Sequence, residues 1–239
     1  MAWIRLRQVA LVARSLDPVV SELSSTLGLR VAYRDPAVAI FGVHNAVMPA
    51  GTQFVEVVSP LPGSEPRGTA AGRFLERVGG DGGYMVICHS DEPEAVRGRA
   101  SACGVRIAFE ADDHGYRIMQ LHPRDTGGSF LEVDYQPGGS DPWGPWTPAG
   151  PDWQSAVCSD VIDGLVGVTI SSADPARTAS VWSAVLDRPL RDGSVLDLDN
   201  ASVSFVAGPV DALTGVTVSG PPPGSEWMIG GVRFSSGVL

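Results

Sequence analysis

Three cysteines among 239 residues leave little room for a disulfide framework. Cys88, Cys103 and Cys158 are odd in number and lack metal-site spacing, so buried or incidental thiols are expected. Basic charge is also scarce: 17 basic against 27 acidic residues give a formal charge of -10. Such a surface repels nucleic acid and anionic lipid, and no basic run interrupts it. Long apolar runs are missing too. The start, MAWIRLRQV, has neither the apolar segment nor the small-residue cleavage site of a signal peptide, and no later stretch approaches a membrane span. A cytoplasmic location is therefore expected, with no nucleic-acid or membrane partner. Disorder is disfavoured as well, because a hydrophobic fraction of 44% suffices for one large core or two modest ones.

Two glutamates stand inside apolar strand-like runs: Glu56 in TQFVEVVSPL and Glu132 in GGSFLEVDYQ. A carboxylate in such a run is costly unless it turns toward water, a partner or a ligand. Counting by two puts Phe54 and Val58 on the face of Glu56, and Phe130 and Asp134 on that of Glu132. Acids flanked by apolar side chains suggest a lined small-molecule pocket.

The order of elements repeats. A strand at 9–13 is followed by a helix capped by Ser15 or Asp17, with Leu16, Val19, Leu23 and Leu27 as its buried stripe and Gly28 at its end. Strands follow around 38–41 and 52–58, with Asn45 and Gly51 marking turns. A second copy runs from a strand at 84–88 through a helix at 91–102 to strands at 105–109, 117–121 and 130–134, the last two joined by the turn PRDTGG. The segment 136–153 is too rich in glycine and proline to be a helix or central strand, yet it carries Trp143, Trp146 and Trp153. It is expected to lie against a domain or to cover a pocket mouth. Beyond it, VGVTISSADPARTASVWSAVLDRPL repeats the first helix at fixed offset, Asp174 taking the cap place of Ser15. Strands at 203–207, 213–219 and 228–234 complete a shortened second domain. The expected division is a first domain at 1–137, a linker at 138–160 and a second domain at 161–239.

RQVALVARSLDPVVSELSSTLGL, TQFVEVVSPL, GRFLERVGGDGGYMVI and LHPRDTGGSFLEVD together resemble the glyoxalase-like, or vicinal-oxygen-chelate, superfamily, which includes bleomycin-resistance proteins and dioxygenases. Their style is that of its methylmalonyl-coenzyme A epimerase-like branch. The resemblance implies an α+β fold of tandem domains, each built from paired βαβββ units forming curled mixed sheets around a metal-binding trough. It also implies four ligand positions, which fall here on Gln8, Glu56, Met85 and Glu132, so that both family histidines are absent.

The donor chemistry points the same way. Gln8, Glu56 and Glu132 offer hard oxygens that could accept magnesium or manganese, whereas Met85 is soft; no cofactor is required by the sequence. Metal-free chemistry is open to the same residues. Carboxylates held against Phe54, Phe130 and Met85 favour their protonated forms, and Glu56, Glu132 and His122 could exchange a proton beside a carbonyl. His44 and His89 could line the pocket, and Arg124, like Arg73 and Arg77 one helical turn apart, could meet an anionic tail; pairing of the latter two with Glu65 or Glu76 is as natural. Three functions stay open: an isomerase or lyase acting on a small carbonyl or carboxylate compound, a non-catalytic binder of a metabolite or drug, and a structural pair of domains. Exposed sheet edges could also pair chains into a homodimer.

Overall fold

The computed structural model describes residues 2–63 and 66–238. Its first strand, β1 (Ile4–Val12), is buried along its whole length, as an apolar strand covered on both faces must be. α1 (Leu16–Leu27), β2 (Val43–Ala50) and β3 (Gln53–Pro60) complete the first unit. α2 (Ala70–Val78) leads into the second: β4 (Gly82–Ser90), α3 (Pro93–Ala102), β5 (Ile107–Asp113), β6 (Tyr116–Leu121) and β7 (Phe130–Asp134). The third holds β8 (Gly164–Ser172), α4 (Pro175–Leu186), β9 (Leu190–Arg191), β10 (Val195–Asp197) and β11 (Ser202–Ala207). The fourth is strands alone: β12 (Ala212–Ser219), β13 (Glu226–Ile229) and β14 (Val232–Ser236). Among the described residues no helix is long and apolar enough to cross a membrane.

Local chemistry explains the helices. α1 buries the stripe read from the sequence and stops at Gly28, whose positive φ of 71° brings its N–H to the Ser24 carbonyl. Ser15 stands at the cap position without a side-chain hydrogen bond, while in α4 the Asp174 carboxylate accepts from the Arg177 N–H at 3.1 Å.

The pairing shows the duplication. β1 lies parallel to β3 and antiparallel to β4, and β8 lies parallel to β11 and antiparallel to β12. The curled sheets expected for the two domains do not form, however. The strands belong to one open 14-stranded sheet whose main path runs β2-β3-β1-β4-β12-β8-β11-β10-β9, with no pairing among the described residues that closes it. Its halves join where Leu213 of β12 pairs with Gly83 of β4. A Cβ at Gly83 would overlap the Leu213 carbonyl oxygen, so a side chain there would hold the two strands apart.

Three local expectations are also corrected. Residues 36–41 form a 3-10 helix instead of a strand, because Pro36 enters a turn whose N–H at Ala37 is capped by Asp35 at 2.9 Å. Asn45 lies within β2 instead of in a turn. The stretch 228–234 is a hairpin and not one strand: Gly230 and Gly231 take φ of 54° and 74° between Ile229 and Val232.

Two irregularities in the β1–β4 ladder position the site. Pairing skips Arg7 between Leu6 and Gln8, and skips Tyr84 between Leu11 and Ala10. Each bulge shifts strand parity, so that Arg5 and Gln8, three residues apart, share a face with His89 and Ile87. That face forms a second core with Phe54, Met85, Tyr116, Trp146, Trp153 and the inner side of α2. The first core lies on the opposite face and includes the buried apolar residues of α1 and α4.

Candidate functional site

Glu56 is buried at the centre of the second face and is fully occupied. Its Oε2 accepts from Gln8 Nε2 at 2.8 Å and its Oε1 from Asn45 Nδ2 at 2.7 Å. Burial raises its pKa, while the hydrogen bonds from Asn45 and Gln8 oppose the rise. Gln8 is in turn fixed by the linker: its Oε1 accepts from Trp146 Nε1 at 2.8 Å. Trp146 lies nearly parallel to Phe54, 6.3 Å between centroids, and meets Tyr116 edge-on at 5.8 Å. The linker thus packs on the face that carries the acids. Trp153 is equally buried, whereas Trp143 is half exposed and stacks on it.

Arg7 clamps this packing. Its guanidinium lies 5.2–5.6 Å from the rings of Phe54, Trp146 and Trp153 and donates to the carbonyls of Thr52 and Pro142, each at 2.6 Å. Burial, reinforced by the nearby charge of Arg5, pulls its pKa down to about 9. His89 lies against the same cluster, fully buried beside Trp3 and Trp146, and neither ring nitrogen has a hydrogen-bond partner among the described residues. Burial first, and then the charges of Arg5 and Arg7, bring its pKa down to about 3, so the ring is neutral.

The second acid group is arranged differently. Glu132 and Asp134 occupy one face of β7, two residues apart, and both are buried. Tyr116 donates its hydroxyl to Asp134 Oδ2 at 2.6 Å. Glu132 Oε2 and Asp134 Oδ1 have no other described partner, although each carboxyl acts on the other. Burial pushes Glu132 well above the carboxylate range, the Asp134 charge adds to the rise, and the Gln120 amide opposes it. Burial likewise raises Asp134, to about 7, against the hydrogen bond from Tyr116. Two desolvated carboxyls side by side cannot both ionise cheaply, so near neutrality the pair keeps a proton.

The remaining expected site residues divide into two groups. Met85 and Phe130 are cross-strand neighbours on the acid face, and Phe54 lies in the same core. His122 stands two residues beyond Gln120, the cross-strand partner of Glu132, and its Nδ1 accepts from the Arg124 N–H at 3.2 Å within the turn. Arg124 itself is exposed there. His44 pairs with Ser59 and, by strand alternation, projects away from the face that Asn45 reaches. Asn45, Tyr116 and the role of Trp146 went unread in the sequence: Asn45 carries the signature of a turn, and the others reach the acids through contacts distant along the chain.

The donor set does not fit a divalent ion. The one oxygen of the Gln8 amide is taken by Trp146, both oxygens of Glu56 are taken by amides, and Met85 supplies sulfur where magnesium or manganese needs oxygen. Among the described residues no group of three or more His, Cys, Asp or Glu side chains is placed to hold a metal. The cysteines supply no alternative. All three are free, and burial pushes the Cys88 thiol up to about 12.

Comparison with known proteins agrees with this architecture. The chain is 31% identical over 123 residues to a homoserine O-acetyltransferase of Solidesulfovibrio magneticus, covering 46% of this chain but only 29% of that protein. It is 27% identical over 135 residues to an ethylmalonyl-CoA/methylmalonyl-CoA epimerase of Cereibacter sphaeroides, covering 54% of this chain and 96% of that one. The crystal structure of a hypothetical protein from Staphylococcus aureus matches the fold over 99% of this chain and 100% of its own, with a TM-score of 0.62 at 13% identity. The model of the glyoxalase-like domain matches residues 9–186, a span that crosses the linker and includes α4. On that match, the chain belongs to the glyoxalase-like, vicinal-oxygen-chelate family.

Proposed function

We propose that the acid face binds a small carbonyl or carboxylate compound and moves a proton on the carbon beside its carbonyl, an isomerase-type reaction. The observation that carries this is the buried Glu132–Asp134 pair. It retains a proton near neutrality, and Glu132 Oε2 and Asp134 Oδ1 are the oxygens not committed to other described groups. The ionised member removes the proton and the protonated member supplies one, since neighbouring carboxyls of unequal proton affinity divide these roles. Glu56, held by Gln8 and Asn45, is a fixed part of the wall beside the pair. With His122 Nδ1 engaged by Arg124, Nε2 is the ring atom left to return a proton. Trp146 and Trp153 wall the face and keep water from it.

A second reading draws on Glu56 itself. Its complete satisfaction by internal amides favours a face that binds a small molecule without turnover. The two are separated in deuterium oxide, with a panel of 2-oxo acids, 2-substituted carboxylates and their thioesters followed by NMR. Turnover predicts C–H exchange that falls by roughly a hundredfold or more in Glu132→Gln and in Asp134→Asn. Exchange that both variants leave unchanged would remove the acid pair from the reaction; saturable binding without exchange would establish the second reading.

A further inference from the structure

The linker over the acid face, residues 136–157, is bonded mainly to itself. Among the described residues every backbone-to-backbone hydrogen bond it makes, from the Gly139 N–H to the Gln136 carbonyl through to the Val157 N–H to the Gln154 carbonyl, closes within the segment. Side chains add internal ties: Trp153 Nε1 donates to the Gly144 carbonyl at 3.3 Å, Gln154 Nε2 to the Trp143 carbonyl at 2.9 Å, and the Gln136 amide oxygen accepts from the Thr147 N–H at 2.9 Å. A loop packed by its own side chains keeps its shape without the sheet. Its hydrogen bonds to the sheet come from the side chains of one strand. Arg5 donates to the carbonyls of Gly139 and Ser140, Arg7 to those of Pro142 and Gly144, and Gln8 accepts from Trp146. The bulge at Arg7 lets all three meet one segment, since strict alternation would turn Gln8 to the other face from Arg5 and Arg7. The arginines of α2 are engaged elsewhere: Arg73 donates to the Arg67 carbonyl at 3.1 Å and Arg77 to those of Asp211 and Gly128 at 3.0 Å each. Glu65, a carboxylate expected beside them, lies outside the described residues.

Opposing forces act on the closed segment. Burial of Trp146 and Trp153, each 1% exposed, holds it down. The same closure takes Arg5 Nε, Arg7 Nε and both His89 nitrogens out of water with no hydrogen-bond partner among the described residues. His89 touches the segment so closely that a Cβ at Gly139 would overlap its ring. Unpaired buried polar groups are the costly part of a packed surface, and opening returns these four atoms to water. Opening also breaks no strand pairing, because the segment contains no strand and the sheet resumes at β8. Regions attached in this way open far more readily than the whole protein unfolds.

We propose that residues 136–157 form a strap that opens as a unit over the acid face, with Trp146 seated on Gln8 as its latch, and that a ligand reaches Glu132 and Asp134 only in the open state. Asp134 lies close to the latch. Tyr116, which donates to it, meets the Trp146 ring edge-on, and His89, its partner across the ladder, meets the same ring at 5.3 Å. With the strap closed Asp134 is 0% and Glu132 4% exposed. The ligand step rests on the proposed function; the opening does not. A ligand that needs the open state binds with its intrinsic affinity reduced by the open fraction.

The test is native-state hydrogen exchange of the indole N–H groups in the full chain, followed by NMR. Trp146 and Trp182 are matched probes: both are buried, and they donate at 2.8 Å and, to the Thr126 carbonyl, at 2.9 Å. The Trp146 N–H is expected to exchange about a hundredfold or more faster than that of Trp182. Urea below the unfolding transition should speed Trp182 and leave Trp146 nearly unchanged, since the strap exposes far less surface than global unfolding. Gly83→Ala, at the junction between the halves of the sheet, should likewise speed Trp182 alone. Access is read separately, as the rate at which a carbodiimide couples glycine ethyl ester to Asp134, located by mass spectrometry. That rate is expected to follow Trp146 and not Trp182. Equal exchange at the two indoles, with equal response to urea, would make the linker a fixed part of the core and overturn the strap. Labelling of Asp134 at the pace of Trp182 would overturn its control of access. Neither readout involves turnover, so a failure of the proposed reaction removes the chemistry and leaves the strap.

Discussion

The Trp146 indole N–H donates to the Gln8 side-chain oxygen at 2.8 Å, across 138 residues of chain. This bond ties the linker to the first strand and, through Gln8, to Glu56. Replacing Trp146 with Phe keeps most of the packing but leaves the Gln8 oxygen buried without its donor, a loss of about 1–3 kcal/mol. Trp146→Ala adds a cavity and is expected to lose about 3–5 kcal/mol. Urea unfolding measures both, and Trp146→Ala should also bind a hydrophobic dye that the parent does not.

Asp134 predicts a pH dependence of definite sign. Its carboxyl is raised in the folded protein to about 7 from an ordinary value of 3.8, so the folded chain binds the proton more tightly than the unfolded one. The stabilisation is present at acid pH and is lost as pH rises through about 7. The group's contribution to unfolding free energy should therefore fall by up to a few kcal/mol from roughly pH 4 to 8. Asp134→Asn should flatten that part of the profile in denaturant titrations at a series of pH values. An unchanged slope would show that the carboxyl is not held protonated.

His89 acts in the opposite sense. Its pKa falls from 6.5 to about 3 on folding, so the unfolded chain takes up the proton first. Stability from this residue is retained above about pH 6.5 and is lost as pH falls toward 3. His89→Leu removes both the titration and two buried nitrogens without described partners. It should gain stability at pH 5 relative to the parent and change little at pH 8, as compared by thermal unfolding at the two values.

Gly83 tests the junction between the halves of the sheet. A methyl group there meets the backbone and side chain of Leu213. Gly83→Ala should cost about 1–3 kcal/mol, the usual penalty of overpacking. It should also expose the β4–β12 seam, seen as faster amide hydrogen exchange at Leu213. Gly79→Ala is a useful control because a Cβ there meets no other atom within 4 Å, although its φ of 79° adds backbone strain.

Much of the frame was legible in residue patterns. The repeated strand and helix order, the helix stripe from Leu16 to Leu27, the cap at Asp174 and the turn 123–128 depend on local spacing and backbone preference. The parity that placed Phe130 and Asp134 beside Glu132 holds for the same reason, because β7 is regular. Parity could not place Arg7, Gln8 or Tyr84, since a bulge is fixed by the partner strand.

Sequence alone was enough for the two buried acids, the strand-and-helix repeat and the tryptophan-rich break, all of which are properties of residue type and near neighbours. Tertiary structure decided that the sheet is single and open, that Glu56 is satisfied by Asn45 and Gln8, and that Glu132 shares its burial with Asp134. It also decided that Trp146 packs on the face the acids share. Each of these depends on which distant groups are brought together and how completely they exclude water, and desolvation of a carboxylate is set by that enclosure and not by its neighbours along the chain.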